Sequence, residues 1–273
     1  MPAAPEPDDF VGAAARGDLF VVYQPTVNLP GRSLHSFEAL VRWQHPTRGL
    51  VSPAEFIPQA EASGEIVQVG QFVQAQAAQQ LRAWDVDRGD RTAPHYVSVN
   101  ASAVELRLPE YVPALRAILQ EYGVAPERMQ IEVTESVFVD DIDVMVDRLN
   151  EMKDLGVRLA IDDFGTGYSS LSYLANMPLD VMKIDRSFVE GMLGSERMFA
   201  VMRATFMLAR GLGLSVIAEG VEGEQQEWLL GALGGELAQG YLYSRPLSVE
   251  NATRLVKGDT AAADPVRPQR AAA

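Results

Sequence analysis

Eight residues stand out because each falls near the C-terminal end of an expected strand. They are Glu38, Asn100, Glu132, the adjacent pair Asp162–Asp163, Lys183, Glu219 and Gln239. Five carboxylates converging on one pocket would repel each other and force their pKa values upward unless cations intervened. Their donors are hard oxygens, with no Cys or His among them, which points to Mg²⁺ or Mn²⁺ rather than zinc. Adjacent aspartates send their side chains to different sides of one backbone, so Asp162–Asp163 can serve two ions. Two such ions suit in-line displacement at phosphorus.

The elements that must position these residues are short β-branched runs alternating with longer helical patterns. Strands are expected at Leu19–Gln24, His35–Arg42, Tyr96–Asn100, Gln130–Thr134, Val157–Asp162, Val181–Ile184, Ser215–Ala218 and Leu237–Tyr241. Helices are expected at Ala54–Ala62, Ile66–Trp84, Tyr111–Tyr122, Asp141–Leu155, Ser169–Leu174, Glu196–Leu212, Gly223–Leu233 and Val249–Val256. Met145, Leu149, Met152 and Leu155 recur at the three- and four-residue spacing of one helix face.

This alternation matches an α/β architecture, a TIM-type (β/α)8 barrel, whose strand ends converge on one functional face. The loop Asn28–Arg32 is too short for a helical crossover, so strand one should run antiparallel to strand two. The expected barrel is therefore irregular. A doubly wound open sheet is the competitor, but no Gly-rich phosphate fingerprint follows an early strand.

Composition narrows the class. The 273 residues can bury a sizeable core, and no Pro/Gly/Ser linker is long enough to divide them. Residues 10–257 read as one domain, with residues 1–9 and 258–273 expected to be disordered from their Pro/Ala-rich composition. Zero cysteines exclude a disulfide scaffold, a thiolate metal site and a cysteine nucleophile. Three histidines, His35, His45 and His95, leave little material for a zinc cluster. The net charge of −14 argues against a broad footprint on duplex nucleic acid. No signal peptide or membrane span is visible, so the chain is expected to be soluble and cytoplasmic, with no membrane partner.

Each candidate also has an ordinary role when taken alone. Asp162–Asp163 before Phe164-Gly165-Thr166-Gly167 could be a turn and helix cap. Glu135 could open a helix, Glu38 could pair with Arg42, and Lys183 could snorkel or bridge to Asp185. Asn100 could cap a strand end, and Gln239 could be polar filler. All these readings would have to hold together, strand after strand, to remove the case for a site.

The sequence resembles the EAL-domain family, bacterial phosphodiesterases that hydrolyse cyclic di-GMP. The resemblance rests on Tyr23-Gln24-Pro25, Glu38-Ala39-Leu40-Val41-Arg42-Trp43, Val99-Asn100-Ala101-Ser102 and Glu132-Val133-Thr134-Glu135. It continues through Asp162-Asp163-Phe164-Gly165-Thr166-Gly167-Tyr168-Ser169-Ser170-Leu171, Lys183-Ile184-Asp185, Ala218-Glu219-Gly220-Val221-Glu222 and Gln239-Gly240-Tyr241. These strings occur in the family's order across nearly the whole chain. Two positions depart from the family pattern: Ser36, where glycine is usual, and Gly223, where threonine is usual. Neither removes a ligand.

The resemblance implies an irregular barrel with one antiparallel strand, a homodimer, and dependence on Mg²⁺ or Mn²⁺, two per site. It implies that Glu38, Asn100, Glu132 and Asp162 hold one ion, and Asp162, Asp163 and Glu219 the other. Lys183 would lie near the attacking water, with Glu219 a ligand, a general base, or both. Gln24, Leu40, Arg42, Asp185, Glu222, Gln239 and Tyr241 would line the substrate pocket. Glu135 would anchor the loop Phe164 to Leu171, and the product would be linear 5′-pGpG. Two rivals remain: a barrel that binds the dinucleotide without cutting it, and an enolase-type barrel with Lys183 as base.

Overall fold

The structure is a computed structural model that describes residues 10–87, 94–138, 142–165 and 174–263. Nine strands form one sheet. In chain order they are β1 (Leu19–Asn28), β2 (Leu34–His45), β3 (Gly49–Val51), β4 (Val97–Asn100), β5 (Met129–Thr134), β6 (Arg158–Phe164), β7 (Val181–Ile184), β8 (Ser215–Ala218) and β9 (Leu237–Gln239). The order β1-β9-β8-β7-β6-β5-β4-β2-β3, with β1 also paired to β2, closes eight strands into a barrel. Seven of these run parallel, while β1 is antiparallel to both β2 and β9. The short loop dictates this reversal, as the sequence led us to expect.

The helices among the described residues are α1 (Phe10–Arg16), α2 (Pro53–Ser63), α3 (Ile66–Asp87), α4 (Ala103–Leu106), α5 (Tyr111–Tyr122), α6 (Ile142–Leu155), α7 (Arg186–Gly191), α8 (Glu196–Gly211), α9 (Glu224–Ala232) and α10 (Val249–Val256). Pro53 opens α2, where a missing N–H costs nothing. Ser102 and Glu105 close a reciprocal capping box on α4. The stripe Met145, Leu149, Met152 and Leu155 of α6 is buried against the barrel. Strand β5 is buried at five of six positions, as expected where helices cover a parallel sheet.

Some elements differ from expectation. Strand β2 runs on to His45 and folds back through a hairpin onto β3, pairing Trp43 with Val51. Three residues between turn signals are too few to read as a strand in advance. The last strand stops at Gln239, where its carbonyl turns to accept from the Val221 N–H. Past α10 the chain forms a 3₁₀ turn, Thr260–Ala263, where the expectation was disorder from residue 258. Arg254 pairs with Asp259 at 2.6 Å and Ala262 is buried, which fixes that turn beside α10. Residues 1–9, 264–273 and most of the expected helix Ser169–Leu174 lie outside the described residues.

Candidate active site

The mouth of the barrel collects the residues that the sequence singled out. Lys183, on β7, is 1% exposed and stands at the centre. Its Nζ lies 2.6 Å from Glu132 Oε2, 2.7 Å from Glu219 Oε1, 3.1 Å from Asp162 Oδ1 and 3.6 Å from Glu38 Oε2. Glu38 is held from both sides: Asn100 donates to its Oε1 and Gln239 to its Oε2, each at 2.9 Å. So Asn100 and Gln239 are hydrogen-bonded into the cluster, and Lys183 turns to the carboxylates rather than to Asp185.

Strand β6 places two consecutive aspartates on this mouth by an irregular backbone. The β6–β7 register shifts between Ile161 and Phe164, and Asp163 adopts a left-handed φ of 53°. A regular strand would send Asp162 and Asp163 to opposite faces. The distortion lets both contribute carboxylate oxygens to one triad. Left-handed backbone is sparsely populated by non-glycine residues and gathers at functional sites.

Two overlapping carboxylate triads result. Glu38, Glu132 and Asp162 offer oxygens within 4.8 Å of one another, and so do Asp162, Asp163 and Glu219. Asp162 belongs to both. Five carboxylates face one ammonium, leaving the site strongly negative if all ionise. Burial raises Glu132 to about 7, with Glu38 and Asp162 adding to the rise. Burial also lifts Asp163 to about 6 and Glu219 well above the usual carboxylate range. For Glu38 burial works upward too, but Lys183 and the donors Gln239 and Asn100 prevail and lower it. Burial would depress Lys183, yet Asp162, Glu132 and Glu219 together hold it well above its ordinary value. This surplus of hard anionic oxygens fits divalent cations of the Mg²⁺ class.

Beside the triads lies a cleft of about 210 Å³, lined by Gln24, Leu40, Glu222, Gln239, Tyr241 and Arg186 among others. Arg42 and Leu40 also line a larger, mainly apolar cavity of about 470 Å³ between β2, α3 and α4. Burial lowers Arg42, with Glu38 and Tyr241 opposing. Asp185 behaves differently: it caps α7, accepting from the Ser187 N–H at 3.0 Å, while its charge helps raise Asp163. Glu135 is buried, and its Oε1 accepts from the Gly165 N–H at 2.7 Å, tying the start of the following loop to β5. Gly165 has φ 102°, and a Cβ there would fall 2.4 Å from the Phe188 ring. The remainder of the expected loop, Thr166 to Leu171, lies outside the described residues.

One residue of the cleft and one that packs on its lining were not singled out from sequence. Arg186 crosses over Gly220, whose φ of 66° and missing Cβ make room for its side chain, and reaches to 3.6 Å from Glu222. Its only signal was its place directly after Lys183-Ile184-Asp185. The Arg245 guanidinium stacks 4.2 Å from the centre of the Tyr241 ring, and nothing in the sequence marks that contact.

A sequence model of the EAL domain matches residues 8–246. The chain belongs to the EAL domain family. Among relatives of this EAL domain, cyclic di-GMP phosphodiesterase NbdA of Pseudomonas aeruginosa is 42% identical over 90% of the chain and 31% of its own length. The P. aeruginosa protein named bifunctional diguanylate cyclase/cyclic di-GMP phosphodiesterase MucR is 39% identical over 89% of the chain and 35% of its own length. The chain thus spans about a third of the length of the curated relatives it matches. Among solved structures, the PaMucR phosphodiesterase in a c-di-GMP complex superposes with a TM-score of 0.84 at 38% identity, covering 89% of this chain and 98% of that one. The EAL domain of Mycobacterium smegmatis DcpA gives 0.74 at 31% identity, over 89% and 97%.

Proposed function

We propose that this EAL domain is a metal-dependent phosphodiesterase that hydrolyses cyclic di-GMP to linear 5′-pGpG. The observation that carries the reading is the pair of carboxylate triads sharing Asp162 around buried Lys183. Relatives named as cyclic di-GMP phosphodiesterases, and a structural neighbour solved as a c-di-GMP complex, support it. In this reading Glu38, Asn100, Glu132 and Asp162 would hold one Mg²⁺ or Mn²⁺, and Asp162, Asp163 and Glu219 the second. Bound there, the ions would supply positive charge against the substrate phosphate and lower the pKa of a water.

The side chains do the rest. A chain of charge −14 repels a dianion at long range, so the local donors matter. Arg42 offers a charge-assisted hydrogen bond to a phosphate oxygen. Lys183 Nζ, already within hydrogen-bond distance of three carboxylates, orients the attacking water and offsets charge growing on phosphorus. Glu219, whose Oε1 lies 2.7 Å from Lys183 Nζ, is placed to take the water's proton. The water's oxygen bonds to phosphorus, the bond to the 3′ oxygen breaks, and that oxygen leaves as a hydroxyl protonated by solvent, so one diester opens. Gln24, Leu40, Glu222, Gln239 and Tyr241 grip the nucleotide, with Asp185 acting from the cap of α7. Residues 10–257 form the catalytic unit, which pairs as a homodimer and works in the cytoplasm.

The ligand assignment is tested by Glu38→Ala and Asp162→Ala. Both should abolish hydrolysis while circular dichroism reports an intact fold. Metal-dependent turnover retained in either purified variant would contradict it.

A further inference from the structure

We infer that Gln130 is a positioning residue for Glu132, its side-chain amide fixing the orientation in which that carboxylate is presented to a cation. The inference rests on the metal-site reading above. Gln130 lies two residues before Glu132 on β5, so both side chains point into the barrel. It is wholly buried, and its Nε2 donates to Glu132 Oε1 at 3.1 Å. The other oxygen, Oε2, is taken by Lys183 at 2.6 Å. The Glu132 carboxylate is thus pinned at both ends and cannot rotate freely about its last torsion.

The layer beneath the site argues that this contact is more than filling. Two residues back from Asp162, Lys183, Glu219 and Gln239 stand Ala160, Val181, Ile217 and Leu237, which pack as one apolar cluster. Two residues back from Glu38, Asn100 and Glu132 stand Ser36, Ser98 and Gln130, all buried. The barrel floor is therefore apolar under one half of the site and polar under the other. Of the polar three, Gln130 bonds to the layer above through Glu132. It does so while its own Oε1 is buried without a hydrogen-bond partner among the described residues. An apolar side chain of equal length would avoid that unmet acceptor. A glutamate would place a second anionic acceptor against Glu132. A neutral donor is what remains, and orienting partners of this kind typically change metal affinity 10–100-fold when removed.

The test uses Gln130→Met, which keeps the volume and loses the donor, and Gln130→Asn, which keeps the amide but falls one methylene short. Mn²⁺ binding is read directly by electron paramagnetic resonance, alongside melting temperature, kcat and KM. Both variants should bind Mn²⁺ about 10-fold or more weakly, recover most of kcat at saturating Mn²⁺, and keep KM for cyclic di-GMP. A changed melting temperature with unchanged Mn²⁺ affinity would overturn the proposal and leave a packing role. Should either variant fail to fold, the wild-type Gln130 side-chain amide resonance gives the reading. Mg²⁺ should shift it, and a resonance blind to Mg²⁺ would count against the inference. If wild-type chain turned over no cyclic di-GMP while Gln130→Met still weakened Mn²⁺ binding, the substrate reading would fall and the positioning role would stand.

Discussion

The Lys183 ammonium lies 2.6 Å from Glu132 Oε2, and both side chains are sealed from solvent. Such a pair contributes little net stability, but breaking it leaves an uncompensated buried charge. Lys183→Met should therefore lower the stability of the metal-free chain by roughly 3–5 kcal/mol. Turnover should fall on the order of 10²–10³-fold, the loss typical of a deleted charge-stabilising donor. Thermal melts in chelator and product assays measure the two effects. Added Mg²⁺ should raise the melting temperature more in the variant than in wild type, because cations then carry the whole neutralisation.

Asp163 carries both a ligand and a distorted backbone, and substitutions separate them. Asn tolerates φ near 53° almost as well as Asp does, so Asp163→Asn should melt close to wild type. Its hydrolysis should nonetheless drop at least about 100-fold with the loss of a carboxylate from the second triad. Asp163→Val, β-branched at a left-handed position, should in addition lose about 1–3 kcal/mol of stability. Equal melting of the Asn and Val variants would contradict the strain.

Cation binding should depend on pH, and the sign follows from the raised carboxylates. Glu132 at about 7 and Asp163 at about 6 hold protons near neutrality in the metal-free chain, and ligation requires them ionised. Mn²⁺ affinity should weaken as pH falls through 7 and then 6, and binding should release protons. Calorimetry at pH 6.5 in two buffers of different ionisation enthalpy would count them. Zero proton release would contradict the burial-driven shifts.

Glu105 gives a separate pH effect remote from the triads. It is buried in α4, and desolvation raises it from 4.5 to about 7 despite the Ser102 hydrogen bonds. Between those values the folded chain holds a proton that the unfolded chain has lost. Stability is therefore greatest below 4.5 as far as this group is concerned, and falls as pH rises through about 7. The interval corresponds to roughly 3 kcal/mol. Glu105→Gln should remove this slope, raising stability at pH 8 relative to wild type in denaturant melts with chelator. A variant no more stable than wild type at pH 8 would refute it.

Much of this was legible in the sequence because the barrel makes one strand end resemble the next. Glu132, Asp162, Lys183 and Glu219 each lie at or next to the end of an apolar run, whereas Glu38 sits midway along β2, and the shortness of the β1–β2 loop alone required the antiparallel strand. What stayed hidden depends on contacts distant in sequence. Gln130 reads as one more residue of a strand buried on both faces, where no alternation tells inside from outside. Nothing local says that Asp163 takes a left-handed turn, or that Arg245 stacks on Tyr241. The β3 hairpin and the Thr260–Ala263 turn are too short to carry a periodic pattern.

Hydrolysis of cyclic di-GMP should depend on cations held in the two triads. The most direct measurement is chromatography and mass spectrometry of products formed by the purified chain in ¹⁸O-labelled water, with Mg²⁺, with Mn²⁺, and with excess chelator. The expected product is 5′-pGpG carrying one ¹⁸O in its terminal phosphate, formed with either metal and absent with chelator. Intact dinucleotide under all three conditions, bound or unbound, would contradict it.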